Sequence, residues 1–159
     1  VVGAGGTYPG RPHRADLTGQ TLGAELYAIR PGESTLTRWT YLTADYGPLR
    51  INGRGANELA WSPDGTRIAF WVTPLRGLDP VEDSGSATLH ILDITSGTVS
   101  AYCGLTITET VPDTPHLVWS PDGTRLAFGA SLPDDSSGYR LLALDPESGI
   151  FTELSFGLF

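Results

Sequence analysis

Apolar residues alternate with other residues over short stretches of this chain, and each stretch stops at a proline, an aspartate or a glycine. Leu59 and Trp61, then Ile68 and Phe70, keep the period of two that a pleated strand imposes on its side chains. Between them, Ser62-Pro63-Asp64-Gly65 has the composition of a tight turn. Pro63 brings the fixed φ of the second turn position, Asp64 suits the third, and Gly65 tolerates the left-handed conformation that redirects the backbone. The pattern predicts a β-hairpin.

That hairpin occurs twice. Residues 59 to 72 read LAWSPDGTRIAFWV and residues 117 to 130 read LVWSPDGTRLAFGA, identical at ten of fourteen positions at a separation of 58. Pro121, Asp122 and Gly123 therefore repeat the corner of Pro63, Asp64 and Gly65. A second echo follows each copy: LHILDITSGTV at 89 to 99 aligns with LLALDPESGIF at 141 to 151, a separation of 52. Asp93 and Asp145 end one strand, and a Ser-Gly pair turns the chain into the next. Each unit is thus two hairpins in series, four strands in all. LYAIRPGESTLTRW at 26 to 39 is a degenerate outer pair of an earlier unit. Ala60, Ala69 and Ala127 occupy the opposite strand faces, which suits sheets covered on both sides, as in stacked blades.

W-S-P-D-G-T-R-[IL]-A-F, followed by an apolar strand ending in Asp and a Ser-Gly turn, resembles the WD-repeat-like repeat of TolB-type β-propellers. The resemblance covers residues 57 to 155 well and 24 to 40 weakly. It implies an all-β chain of about two and a half four-stranded antiparallel blades in an incomplete ring. The division is an N-terminal extension at 1 to 23, a partial blade of outer strands with its connector at 24 to 56, and blades at 57 to 103 and 104 to 159. The same repeats occur in peptidase propellers and in periplasmic or surface proteins, so the resemblance implies fold far better than function. It also implies a periplasmic or extracellular location. A closed propeller has roughly 4 to 8 blades, so exposed sheet faces and edges are expected to meet further blades, further copies or a protein partner. The start at Val1, with no methionine in the chain, reads as a processed or trimmed end, and the apolar FTELSFGLF as a truncated or buried one.

Composition narrows the function classes. The net charge is -8, and all ten basic residues are scattered arginines, which disfavours a nucleic-acid partner. No apolar run approaches the roughly 20 residues of a membrane-spanning helix. The single cysteine, Cys103, closes no internal disulfide and reads as a small core residue. His13, His90 and His116 are far apart and read as structural or surface groups. There is no nucleophile elbow, zinc-protease motif or phosphate-binding loop, and no cofactor or metal site is expected. Asp64 and Asp122 are explained as turn residues that bond to local backbone.

Antiparallel topology sorts the connections. Short turns at 62 to 65, 95 to 97, 120 to 123 and 147 to 149 share one end of the sheets. Long loops, at about 41 to 57, 72 to 87, 104 to 115 and 131 to 138, share the other. Recognition concentrates on such loops. The candidate binding residues are therefore Trp71, Arg76, Asp79, Glu82, Asp83, Asp113, Asp134 and Asp135, with Glu109 nearby. Trp71 is also read as packing against the adjoining blade. Tyr41, Tyr46, Arg50 and Arg54 are read as stapling the longest connector. The expected function is a non-catalytic binding or scaffold module. The alternatives are the propeller part of a larger hydrolase or peptidase, and a self-assembling structural subunit.

Overall fold

The computed structural model describes residues 2–4, 24–51, 59–74, 86–108, 115–130 and 140–156. They form an all-β fold of three antiparallel sheets with one short helix. The first sheet contains β1 (Val2–Ala4), β2 (Glu25–Ala28) and β3 (Thr37–Arg38) in that order. A helix, α1 (Leu42–Tyr46), leads to the second sheet of β4 (Leu49–Ile51), β5 (Ala60–Trp61), β6 (Arg67–Pro74), β7 (Ser86–Asp93) and β8 (Thr98–Thr108). The third runs β9 (Val118–Trp119), β10 (Leu126–Ala130), β11 (Arg140–Asp145) and β12 (Ile150–Phe156). The sheets are propeller-type blades, and they do not close into a barrel.

The repeat is reproduced in register. Trp61 pairs with Ile68 and Trp119 with Leu126 across the two inner hairpins. At both corners the predicted turn is closed: Gly65 N–H donates to the Ser62 carbonyl at 2.9 Å and Gly123 N–H to the Ser120 carbonyl at 2.8 Å. Both glycines have φ of +70°, in the left-handed region. The Asp64 carboxylate accepts hydrogen bonds from Ser62 Oγ at 2.5 Å, Thr66 Oγ1 at 2.9 Å and Thr66 N–H at 3.1 Å. Asp122 holds Ser120 Oγ and both donors of Thr124 in the same way. These side-chain hydrogen bonds, to Ser62 and to Ser120 first, lower both carboxyls from 3.8 to about 2.

Two features differ from the sequence reading. Residues 41 to 57 were expected to be loop, yet Leu42–Tyr46 is helical and Leu49–Ile51 joins the inner edge of β6, with Ile51 opposite Val72. Ala60 lies opposite Ala69 on that same edge, so β4 and β5 both pair with one side of β6. A three-residue strand is too short to show alternation. Cys103, expected in the core, is exposed. It lies on β8, whose partner β7 covers only one of its edges, and the pairing slips between Thr88 and Leu89.

The core has two layers. Leu26, Leu42, Leu49, Ile68, Phe70, Val72 and Leu92 fill the space on the upstream side of the second sheet. Its downstream side, with Ala69, Trp71, Leu89 and Ile91, packs on Trp119, Leu126, Phe128, Leu142 and Leu144 of the third. Each large side chain buried here stabilises the fold by roughly 2 kcal/mol. The alternation read from the sequence is therefore real on both faces, and each face has its own neighbour.

Substituting valine at Gly65 should lower unfolding free energy by about 1 kcal/mol or more, since a β-branched residue is strained at positive φ. At Gly123 the loss should be larger, because an added Cβ lies 3.3 Å from Arg67 Nη2 whereas Gly65 meets nothing within 4 Å. Urea midpoints measure both, and unchanged midpoints in both variants would overturn the turn assignment. The lowered carboxyls give a further expectation. Their stabilisation is complete above the ordinary value of 3.8 and is lost as pH falls toward about 2, because the unfolded chain takes up the protons first. In urea titrations, the doubly substituted Asp64→Asn, Asp122→Asn chain should be less stable at neutral pH and should lose less stability over that acid interval.

Candidate functional site: the long-connection end

Pairing of Arg67 with Asp93 and of Asp93 with Thr98 puts the turns before β6 and before β8 at one end of the second sheet. In the third sheet, Leu126 opposite Leu144 and Asp145 opposite Ile150 do the same. The connections after β6, β8 and β10 must then leave from the opposite end, where Val72 faces Thr88 and Ala130 faces Arg140. The sequence-derived sorting of turns and loops holds for these elements. Arg76, Asp79, Glu82, Asp83, Asp113, Asp134 and Asp135, together with Glu109, Arg54 and His13, lie outside the described residues.

Trp71 is placed firmly. It is 1% exposed, meets Phe128 edge-on at a ring separation of 5.1 Å, and donates its indole N–H to the Pro115 carbonyl at 2.9 Å. Packing against the next blade, the reading preferred from sequence, accounts for it, and a surface-anchor role does not. The Pro115 bond fixes the point where the 109–114 connection enters the third sheet. On the same strand, Thr73 Oγ1 is buried and has no hydrogen-bond partner among the described residues.

The helical connector is fastened by two groups. Tyr46 O–H donates to His90 Nε2 at 2.9 Å, while His90 Nδ1, bound to the Thr88 carbonyl at 3.0 Å, carries the ring proton because a carbonyl only accepts. His90 is buried against Phe70, and that burial lowers its pKa, with the Thr88 bond opposing. Burial, then the nearby Cys103 and Asp45, raises Tyr46. The staple reading of Tyr46 and the structural reading of His90 describe this contact. Tyr41 is 62% exposed and lies under the Arg38 guanidinium at 4.2 Å.

Glu25 went unnoticed in the sequence. Its side chain is fully buried, yet it accepts Thr40 Oγ1 at 2.6 Å, Arg38 Nη2 at 2.8 Å, and the N–H groups of Leu42 and Thr43 at 2.9 Å each. A carboxylate pairing a guanidinium and ordering the first turn of α1 satisfies groups that would otherwise be buried without partners. A lone acid within the apolar run LGAELYAI was the available signal. It holds the start of the helical connector, and Tyr46 holds its end. Among the described residues, then, the long-connection end consists of anchored bases from which the acidic segments depart.

No protein-family model and no curated protein sequence matches the chain. Among solved structures, it is similar to TolB from Acinetobacter baumannii, with a TM-score of 0.54 and 14% identity over 83% of this chain and 26% of that one. It also aligns with dipeptidyl peptidase 4 of Porphyromonas gingivalis, at a TM-score of 0.48 and 11% identity over 76% of this chain and 21% of that one. The chain thus spans about a quarter of the length of TolB. No helix among the described residues is long and apolar enough to cross a membrane. The likeness to TolB extends to the fold: these sheets are β-propeller blades.

Proposed function

We propose that this chain is a non-catalytic binding module, a set of propeller blades that presents its long-connection end to a protein partner outside the cytoplasm. The observation that carries the reading is the asymmetry of the two ends. The turn end is closed on itself, with Asp64, Asp93, Asp122 and Asp145 each accepting hydrogen bonds from their own turns. Such groups have little left to offer a ligand. The strand ends joined by residues 75–85, 109–114 and 131–139 lie at the other end, and those sequences carry Asp79, Glu82, Asp83, Asp113, Asp134 and Asp135, a negative composition suited to a basic partner segment. Long connections on a rigid sheet stack are the usual place of recognition. The location outside the cytoplasm rests on the repeat resemblance.

A second reading is favoured by one observation. The chain covers only 26% of TolB, so these blades fit within a longer ring, and that ring can belong to a hydrolase or peptidase as well as to a scaffold.

Site-specific photo-crosslinking in the source cells tests the binding reading. A crosslinker at Asp83 or Asp134 should give one discrete protein adduct, and the same group at Ser96 or Glu147 should give none. Charge reversal of Asp134 and Asp135 should reduce adduct formation at Asp83 several-fold. Equal adduct patterns at the two ends, or none at the loop end, would overturn the assignment.

A further inference from the structure

The end of α1 rests on an enclosed imidazole. His90 is 1% exposed, stacks on Phe70 across the β6–β7 pair at a ring separation of 6.0 Å, and meets the Tyr46 ring edge-on at 5.4 Å. Both of its nitrogens are taken: Nδ1–H donates to the Thr88 carbonyl at 3.0 Å, and Nε2 accepts the Tyr46 hydroxyl at 2.9 Å. This polarity requires the neutral ring. A carbonyl cannot donate, so Nδ1 keeps its proton, and a second proton on Nε2 would stand against the one Tyr46 presents. The phenol would have to turn its hydrogen away, and the new charge would still lie beside the apolar cluster of Phe70, Val72 and Leu92.

The groups around the ring offer an imidazolium little compensation. From α1 come Tyr46 and Asp45, the latter exposed, where solvent screens its charge. From β8 comes Cys103, near Tyr46 and also exposed, while Ala101 lies opposite His90 itself. Phe70 is the contribution of β6. On β4, Leu49 and Ile51 join the same cluster, so Arg50 between them stands on the other face. Glu25 and Arg38 of the first sheet pair with each other, and Glu25 holds the opposite end of the helix.

Of the parts that enclose the ring, one moves at low cost. Phe70 and Thr88 belong to paired strands. Tyr46, by contrast, is 39% exposed and ends a helix of five residues, too short to persist by itself.

We propose that Tyr46 on His90 is an acid-released latch: protonation of the imidazole lifts the end of α1 from the second sheet and admits water to the ring, while the sheets stay folded. The direction follows from the burial, which, against the Thr88 bond, holds the closed form of His90 below its ordinary 6.5. As pH falls through 6.5 the open form takes up the proton first, so the latch is at full strength above that value and weakens below it, until the closed form titrates as well. The device does not depend on what the long-connection end binds.

Amide hydrogen exchange and imidazole nitrogen shifts of the whole chain test it between about pH 7.5 and about pH 5, within the range where imidazoles titrate. At the upper pH, His90 should show the tautomer with its proton on Nδ1. On acidification the Gly47 amide, which closes the helix on the Thr43 carbonyl, should lose protection about tenfold after correction for the intrinsic pH dependence of exchange. Ile91, paired on both sides in β7, should keep its protection. His90→Gln, whose amide oxygen accepts from Tyr46 but takes up no proton, should make Gly47 protection insensitive to pH. Tyr46→Phe should lower Gly47 protection already at the upper pH. An Nε2-protonated ring at that pH, constant Gly47 protection in the unsubstituted chain, or loss at Gly47 and Ile91 together would overturn the proposal. So would a pH response that survives His90→Gln, because another group would then be the one that titrates.

Discussion

Stacked sheets are held together by burial of apolar faces, and burial has no direction. Phe128, Leu126 and Leu142 would be covered nearly as well if the third sheet slid along the second. The register between blades must come from groups with geometry, and here these are indole, phenol and guanidinium donors aimed at backbone carbonyls of the neighbouring unit: Trp71 at Pro115, Trp119 at Ala60, Tyr102 at Pro146 and Arg67 at Gly123. Because the donors are long side chains with apolar bodies, each reaches a carbonyl of the neighbouring unit while its body adds to the buried apolar surface. Every other feature of the long-connection end depends on that fixed register, since the connections start from strand ends whose relative positions it sets.

Much of this was legible because the repeat states it twice. A Pro-Asp-Gly corner between alternating strands has one good physical reading, and closed turns at Ser62–Gly65 and Ser120–Gly123 follow from it. What stayed hidden was information not local in sequence. Leu49 to Ile51 has three residues of strand, and only its partner across the edge, residues 72 to 74 of β6, makes it one. Glu25 reads as an interruption of an apolar run until Thr40, Leu42 and Thr43, fifteen or more residues later, bring donors to it. Cys103 was misplaced for a similar reason. The preference of cysteine for the interior is a property of the residue type, whereas exposure on β8 goes with a strand that has a partner on one side only among the described residues and with the register slip near its middle.

The candidate site divides along the same line. Trp71 carried two readings in sequence because an aromatic at the end of a strand serves equally as a surface anchor or as packing. The edge-on contact with Phe128 and the hydrogen bond from its nitrogen to Pro115 decide between them. His90 reads in sequence as a structural or surface group, and burial with Phe70 on one side and Tyr46 at its free nitrogen makes it a fastening of the connector. Trp71 thus moves from the candidate site to its support, where His90 already stood. On the binding reading proposed above, recognition falls to the acidic connections, and the described aromatic groups serve the packing of the strands instead.

The pattern of identity within the repeat fits this division of labour. Of the fourteen aligned positions, the turn and its arginine are unchanged, as are the tryptophan and phenylalanine that face the preceding unit. The non-conservative difference falls on the following face, where Trp71 is replaced by Gly129. A fastener must meet the same backbone carbonyls in each unit, so its side chains are not free to vary. The surface beside it need only match one particular neighbour in shape, and shape is where specificity between similar units can be written without disturbing the grip. Between the second and third sheets the two tasks are separate: Arg67 and Trp119 set the geometry, and Trp71 against Phe128 supplies the shape.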